Sequence, residues 1–91
     1  MVPYVVPHID FYMSKKDKLL AEAQESPANF RFNDLISLAK MFGFEERRQK
    51  GSHIIMVNPV HGLFMNFQNQ KGKAKPYQVR QLLKAIDEND M

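Results

Sequence analysis

The sequence predicts an α+β fold, a two-layer sandwich in which two helices cover one face of a small antiparallel sheet. Two segments, residues 33–44 and 76–90, carry apolar residues at helical spacing. Three short runs between them can pair as the strands of a meander and are separated by turn residues. Because both helices must bury their apolar stripes on the same sheet, the order is helix–three antiparallel strands–helix. An extra helix is predicted before this unit.

The extra N-terminal helix is predicted over "MSKKDKLLAEAQES", residues 13–26. Ser14 is its N-cap and Asp17 stands at N3, which is a capping-box arrangement. A proline directly after it ends the helix. We therefore divide the chain into an N-terminal extension with its helix (1–26) and one main domain (27–91).

Residues 1–12, "MVPYVVPHIDFY", differ from the rest of the chain. Two prolines break any helix, and the β-branched and aromatic residues suit an extended segment. Met13 followed by a well-capped helix is typical of a translation start. We predict that residues 1–12 are an upstream extension or a cloning artefact; the alternative is a native edge strand or partner-binding arm.

The first helix of the main domain is predicted over "NDLISLAKMFGF", residues 33–44. Asn33 is expected to cap its N-terminus, and Gly43 stands where a left-handed residue commonly ends a helix. Its core-facing stripe consists of Leu35, Leu38, Ala39 and Phe42.

Three strands and a final helix follow. "FEERRQK" (44–50) is charged on both faces apart from its first residue, as a protected edge strand is. "HIIMVN" (53–58) is apolar on both faces and is expected at the centre, beside "LFMNFQ" (63–68). "NQKGKAK" (69–75) is predicted to be a lysine-bearing loop. "PYQVRQLLKAIDEND" (76–90) is predicted to be a helix that begins at its proline.

Size and composition restrict the classes of function. A chain of 91 residues has room for one modest core and for no separate cofactor domain. It has no cysteine, which excludes disulfides, thiolate chemistry and cysteine-ligated metal. No apolar run approaches the roughly 18–20 residues that span a bilayer, and the N-terminal residues lack the pattern of a signal peptide. We therefore expect a cytoplasmic protein that does not enter the membrane.

The basic residues are concentrated in one part of the chain. The net charge is +3, but residues 45–80 contain seven basic side chains against two acidic ones. The basic set is Arg47, Arg48, Lys50, Lys71, Lys73, Lys75 and Arg80. This excess indicates a phosphate-bearing partner such as nucleic acid, and the alternative is an ordinary solvated surface.

His53 is the candidate catalytic residue. Histidine can donate and accept protons near neutral pH, and RNA carries its own nucleophile in the 2′-OH. Cleavage then needs a base, an acid and positive charge beside the phosphate, so one histidine with neighbouring cations meets most of the demand without a metal. From spacing alone, the alternative is that His53 is simply a polar residue at the end of a strand.

The residues just before His53 are candidates for holding and stabilising the phosphate. Arg47, Arg48 and Lys50 supply cations, Gly51 lets a backbone N–H approach a phosphate closely, and Ser52 can donate its hydroxyl. Serine in a turn needs no such role, however. A serine–histidine hydrolase is not supported, because no third residue is identifiable.

Lys71, Lys73 and Lys75 form a second candidate RNA-binding group. They precede a predicted helix N-terminus, where the dipole and free N–H groups attract phosphate. The alternative is a flexible solvated loop. The other two histidines, His8 and His61, have no ligand-like spacing with His53, and no tight acidic cluster accompanies them, so no metal or other cofactor is predicted.

The segment "FNDLISLAKMFGFEERRQKGSHIIMVNP", together with "KPYQVRQLLKAI", resembles the HicA family of bacterial toxins, which are mRNA interferases of toxin–antitoxin pairs. The likeness covers roughly residues 27–86, and its most specific element is "GSH" between a basic and an apolar strand. The resemblance implies a fold like that of double-stranded-RNA-binding domains (dsRBDs), ribonuclease activity at His53 with Gly51 beside it, and a HicB-type antitoxin that covers the site.

This sequence departs from the family pattern at two positions. Members often read like "GSHHIFxHP", whereas Ile54 stands at the second histidine and Asn58 at the histidine before proline. These changes leave His53 without a histidine helper in the strand, which predicts reduced activity.

Three functions follow from the sequence. The first is a metal-independent endoribonuclease toxin that cleaves mRNA, has an antitoxin partner and does not itself bind DNA. The second is a non-catalytic RNA-binding module of the dsRBD type. The third is an interaction protein that holds an antitoxin through an apolar pair on the helix-free side of the sheet, either Ile54 with Met56 or Ile55 with Val57.

Overall fold

The computed structural model describes residues 14–91. In this range the elements are α1 (Lys15–Glu25), a 3-10 turn (Pro27–Asn29), α2 (Phe32–Met41), β1 (Glu45–Lys50), β2 (His53–Asn58), β3 (Leu63–Gln70), β4 (Lys73–Ala74) and α3 (Pro76–Glu88). They confirm the α+β sandwich with an extra N-terminal helix. The predictions for residues 1–12, including His8, lie outside the described residues.

The strands of the described region form one antiparallel sheet in the order β1-β2-β3-β4. The predicted lysine-bearing loop is in fact a tight hairpin that adds β4 to the three predicted strands. Lys71 and Gly72 both have positive φ, 55° and 87°, as a two-residue type I′ turn requires. This turn brings Lys73 opposite Gln70 and so extends β3 beyond its predicted end.

The core lies between one face of the sheet and the helices. Ile54 and Met56 of β2 pair with Phe67 and Met65 of β3, and all four are buried. The stripes of α2 and α3 cover them, with Leu35, Leu38, Val79 and Leu82 fully inaccessible to solvent. β1, by contrast, is exposed along its whole length, as an edge strand is.

The two ends of α2 differ in how well the sequence predicted them. The predicted N-cap, Asn33, is wrong, because the helix already begins at Phe32 with Arg31 as its cap. The reason is tertiary: Phe32 donates its N–H to the Gly72 carbonyl at 3.0 Å, and Arg31 forms a β-bridge with Lys73. The β3–β4 hairpin thus fixes where the helix starts.

The C-terminus of α2 follows the prediction. Gly43 has φ +95°, and its N–H donates to the carbonyl of Lys40 while Phe44 N–H donates to that of Ala39. These two bonds form a Schellman motif, which satisfies carbonyls at the end of the helix. The other predicted caps are also present: Ser14 and Asp17 form a capping box, and Pro76 is the first residue of α3.

Asn58 is a buried polar residue that joins the end of α2 to the β2–β3 turn. Its Nδ2 donates to the Phe42 carbonyl at 3.0 Å, and its Oδ1 accepts from the His61 N–H at 3.2 Å. A Cβ on Gly43 would lie 3.3 Å from the same Nδ2, so the amide packs directly on the helix terminus. Asn58 therefore has a structural role.

Replacing Asn58 with alanine is expected to lower the free energy of unfolding by about 1–3 kcal/mol, because the Phe42 carbonyl and the His61 N–H lose their partner. Urea denaturation measures this change. The matched control is Asn66→Ala, the same substitution at an exposed position of β3, where a change within about 0.5 kcal/mol is expected. Equal effects of the two substitutions would contradict the assigned role.

The longest helix in the described region, α3, has 13 residues. None of the helices there combines the length and apolarity that crossing a bilayer requires.

Candidate functional site

The side of the sheet away from the helices carries the candidate site; we call it the open face. Because side chains alternate along a strand and Ile54, Met56 and Asn58 are buried, the other residues of β2 lie on this face. The register adds the residues paired with them. From β2 and β3 the open face therefore displays His53, Ile55, Val57, Phe64, Asn66 and Gln68.

A β-bulge in β1 decides which basic residues lie beside His53. Glu46 is opposite Met56 and Arg48 is opposite Ile55, so Arg47 is the extra residue. The bulge places Arg48 and, opposite His53, Lys50 on the open face. Arg47 instead lies 3.6 Å from the Glu45 carboxylate.

His53 lies in an open groove of about 660 Å³ at one end of the open face. The groove is lined by Arg48, Lys50, Gly51, Ser52, His53, Ile55 and Asn66. Five of the predicted site residues thus meet in one place, and Arg47 does not line it. The imidazole is exposed, so a dissolved substrate can reach it.

Asn66 holds the His53 ring. Its Oδ1 lies 3.2 Å from His53 Nδ1. Because a carbonyl oxygen can only accept, the tautomer that forms this hydrogen bond carries its proton on Nδ1. In the neutral ring this leaves Nε2 as the acceptor, free to take a proton from a substrate. The geometry therefore suits His53 to act first as a base.

Sequence reasoning did not identify Asn66. In the run "LFMNFQ", Met65 and Phe67 point to one face of the strand and Asn66 points to the other. The sequence therefore does indicate a polar side chain on the solvent face. Its contact with His53 depends on the β2–β3 register, in which Asn66 is paired with Ile55 and lies diagonally from His53.

Gln78 of α3 is a second residue that the sequence did not reveal. It is 5% exposed; its Oε1 accepts from the Gln68 N–H at 2.8 Å and its Nε2 donates to the Asn66 carbonyl at 2.9 Å. The side-chain amide pairs with β3 as a neighbouring strand would, beyond the point where β4 ends. Gln78 thereby fixes the β3 backbone on both sides of Phe67.

The turn between β1 and β2 consists of Gly51 and Ser52. Gly51 has φ +59°, and a Cβ there would meet no atom within 4 Å, so glycine is favoured by backbone conformation and not by space. The Ser52 carbonyl accepts from the Asn69 N–H at 2.7 Å, which ties this turn to β3.

The second group of lysines is spread out. Lys71 lies at the same end of the sheet and lines a neighbouring groove together with Gly51 and Ser52. Lys73 Nζ is 3.5 Å from Asn29 Oδ1, and Lys75 Nζ is 6.0 Å from the centre of the Tyr77 ring. Neither Lys73 nor Lys75 lines the His53 groove.

The positions that depart from the family pattern do not face His53. Ile54 and Asn58 are both buried on the helix side of β2, so neither places a side chain on the open face. His61 lies beyond the far end of β2, a strand of six residues that is about 17 Å long. Of the histidines in residues 14–91, His53 alone lines the groove.

In the described part of the chain, no group of three or more histidine, cysteine or acidic residues is arranged as metal ligands would be.

Comparison with known proteins identifies the family. The sequence model of one protein family, the HicA toxin of bacterial toxin–antitoxin systems, matches residues 32–87. The match runs from the start of α2 almost to the end of α3. No curated protein and no solved structure shows significant similarity to the chain. The match covers well over half of the 91 residues and includes the whole sheet and the His53 groove. The chain therefore belongs to the HicA family, the toxins of bacterial toxin–antitoxin systems.

Proposed function

We propose that this toxin is an endoribonuclease that cleaves mRNA in the cytoplasm without a metal ion, with His53 as its acid–base group. The observation that carries the proposal is the groove in which an exposed imidazole, oriented by Asn66, lies beside Arg48 and Lys50. A proton-transfer group next to two cations is the combination that phosphodiester cleavage requires.

The reaction begins when His53 Nε2 takes a proton from the nucleophile, the 2′-OH of the RNA or a water molecule. The nucleophile's oxygen attacks phosphorus, and the bond from phosphorus to the 5′ oxygen of the next nucleotide breaks. The imidazolium then returns its proton to that leaving oxygen, which restores the neutral ring. Proton transfer by one well-placed group contributes roughly 10²–10⁴-fold to the rate.

Positive charge beside the phosphate stabilises the transition state. Arg48 and Lys50 are the nearest cations of the groove, and the Ser52 hydroxyl and the Gly51 N–H can donate to phosphate oxygens. Lys71 extends the basic surface past the β1–β2 turn. In this proposal Arg47, Lys73 and Lys75, which lie outside the groove, contact phosphates further along the RNA.

A toxin of this family has an antitoxin partner, and we propose that it is of the HicB type and acts by covering the His53 groove. Arg48 and Lys50 favour an acidic segment of that partner in the position that the RNA phosphates would take. The antitoxin would then compete directly with the substrate.

Incubation of the purified protein with single-stranded RNA in EDTA is the primary test. Fragments are expected to accumulate, because none of the proposed steps uses a divalent cation. The absence of fragments after prolonged incubation, with the protein still folded, would contradict the proposal.

Substitution of Lys50 by alanine is expected to weaken binding of single-stranded RNA and to reduce the dependence of log affinity on log salt by about 0.7, the contribution of one phosphate contact. Fluorescence anisotropy at several salt concentrations measures both. The control is Lys84→Ala, which removes a lysine that faces Glu88 on α3 and should leave the salt dependence unchanged. An unchanged slope for Lys50→Ala would exclude this contact.

A second candidate function is non-catalytic RNA binding of the dsRBD type. It is favoured by Lys73 and Lys75, which lie outside the His53 groove just before the N-terminus of α3, whose dipole attracts phosphate. It predicts salt-sensitive binding to duplex RNA centred on Lys71, Lys73 and Lys75, with no turnover in the EDTA incubation.

A further inference from the structure

We propose that the open face binds RNA as an unpaired single strand and that Phe64 is a platform on which one of its bases stacks. The inference rests on the proposed ribonuclease function and deepens it, because it names the form of RNA that the site accepts and a residue that binds it. Phe64 belongs to no part of the chemistry described above.

Phe64 is one of four large apolar side chains that the described residues expose to solvent. Its exposed fraction is 64%, although Met65 and Phe67 of the same strand are buried. The register places it opposite Val57, a half-buried residue that supports the ring from the neighbouring strand. Phe64 thus presents an aromatic surface to solvent from the second residue of β3, close to the β2–β3 turn.

The spacing along the open face suits an extended polynucleotide. The cross-strand pairs His53–Gln68, Ile55–Asn66 and Val57–Phe64 follow one another at intervals of two residues, about 6.7 Å. This interval is comparable to one nucleotide step of an extended single strand. With a phosphate at His53, a base two steps away reaches Phe64.

The polar residues between these two positions can contact the intervening bases. Asn66 and Gln68 carry side-chain amides on the open face, and amides offer both donors and acceptors to the edges of bases. Arg48 and Lys50 lie along the β1 side at the end of this face that holds the groove, and Glu45 lies at its other end. An aromatic platform combined with cations that follow the backbone is the arrangement that binds single strands.

A duplex cannot use this surface in the same way. In an A-form helix the bases are stacked on each other and paired, so a protein meets phosphates and 2′-hydroxyls. Ile55, Val57 and Phe64 offer such groups no hydrogen bond. The apolar part of the open face therefore favours unstacked bases over a helical surface.

The test uses the absence of tryptophan from the chain. A Phe64→Trp substitution introduces a single indole, whose fluorescence is quenched when a base stacks on it. We would make it in a His53→Ala background, which prevents turnover, and titrate it with a single-stranded RNA and with a duplex that contains the same strand. Strong, saturable quenching is expected with the single strand and little with the duplex.

A second measurement gives the magnitude. In the same His53→Ala background, Phe64→Ala is expected to weaken binding of the single strand about 5- to 150-fold, the effect of losing one base–aromatic stack, without changing its salt dependence. The matched control is Val60→Ala, which removes an 86% exposed apolar side chain from the β2–β3 turn and should have no effect.

The outcomes separate this inference from the proposed nuclease function. Equal quenching by duplex and single strand, or an unchanged single-strand affinity of Phe64→Ala, would overturn the platform even if the wild-type protein cleaves RNA. A loss of antitoxin binding in Phe64→Ala with RNA binding intact would also overturn it and would assign the face to a protein partner. If single-strand binding depends on Phe64 but the wild-type protein never cleaves RNA, the stacking role of Phe64 is supported and the proposed nuclease function is contradicted.

Discussion

Replacement of His53 by alanine is expected to abolish growth arrest on expression and to slow RNA cleavage by about 10²–10⁴-fold, the contribution of one positioned proton-transfer group. No other histidine of residues 14–91 lines the groove, so none there can replace it. The fold should be unaffected, because the side chain is exposed and its contact is with another exposed residue. Growth curves after induction and single-turnover cleavage rates measure the effect.

The control for this substitution is His61→Ala. It removes the same type of side chain from the turn beyond the opposite end of β2 and should leave both the arrest and the cleavage rate unchanged. Thermal unfolding of both variants must match the wild type within the uncertainty of the measurement. If the His53→Ala protein produced fragments at the wild-type rate, the catalytic assignment would be rejected whatever its effect on growth.

Substitution of Gln78 by methionine is expected to lower the free energy of unfolding by about 2–4 kcal/mol. Methionine nearly preserves the volume, but the Gln68 N–H and the Asn66 carbonyl both lose their hydrogen-bond partner. Each unsatisfied group costs about 1–3 kcal/mol, and partial access of water to the strand edge reduces the sum. Because a small domain is stable by only about 5–15 kcal/mol, urea denaturation should resolve this change clearly.

The matched control for Gln78 is Gln81→Met on the same helix. Gln81 is exposed, so its replacement should change stability by no more than about 0.5 kcal/mol. Similar small effects at both positions would show that the amide does not support β3. Under conditions where Gln78→Met remains folded, slower cleavage is expected as well, since the backbone it holds carries the residue that orients His53.

The features that the sequence predicted correctly are those governed by local pattern. The stripes of α2 and α3 follow from helical periodicity, and the positive φ of Gly43 follows from its place after the last turn. β2 follows from its β-rich apolar run, and β3 follows from the alternation of its residues. Five residues that the sequence places close together, Arg48, Lys50, Gly51, Ser52 and His53, do line one groove, and their roles in RNA cleavage stay a prediction.

The features that escaped prediction are those decided by partners distant in sequence. The start of α2 is set by the β3–β4 hairpin, and β4 itself depends on a lysine, Lys71, in a left-handed conformation that usually favours glycine. The bulge that separates Arg47 from Arg48 exists only in the pairing of β1 with β2. The roles of Asn66 and Gln78 likewise depend on tertiary register.

The attachment of α1 has a consequence for how the molecule opens. Of its residues only Leu19 and Ala23 are buried, and Lys16 adds a cation–π contact of 4.9 Å with the Phe42 ring. An element with so few buried side chains is expected to exchange its amide hydrogens through sub-global opening, at a lower free energy than the central strands. Since α1 packs on the helix layer, this opening occurs behind the sheet. Mild warming should therefore unfold α1 while the groove keeps its shape. The first thermal transition would then precede the loss of toxicity.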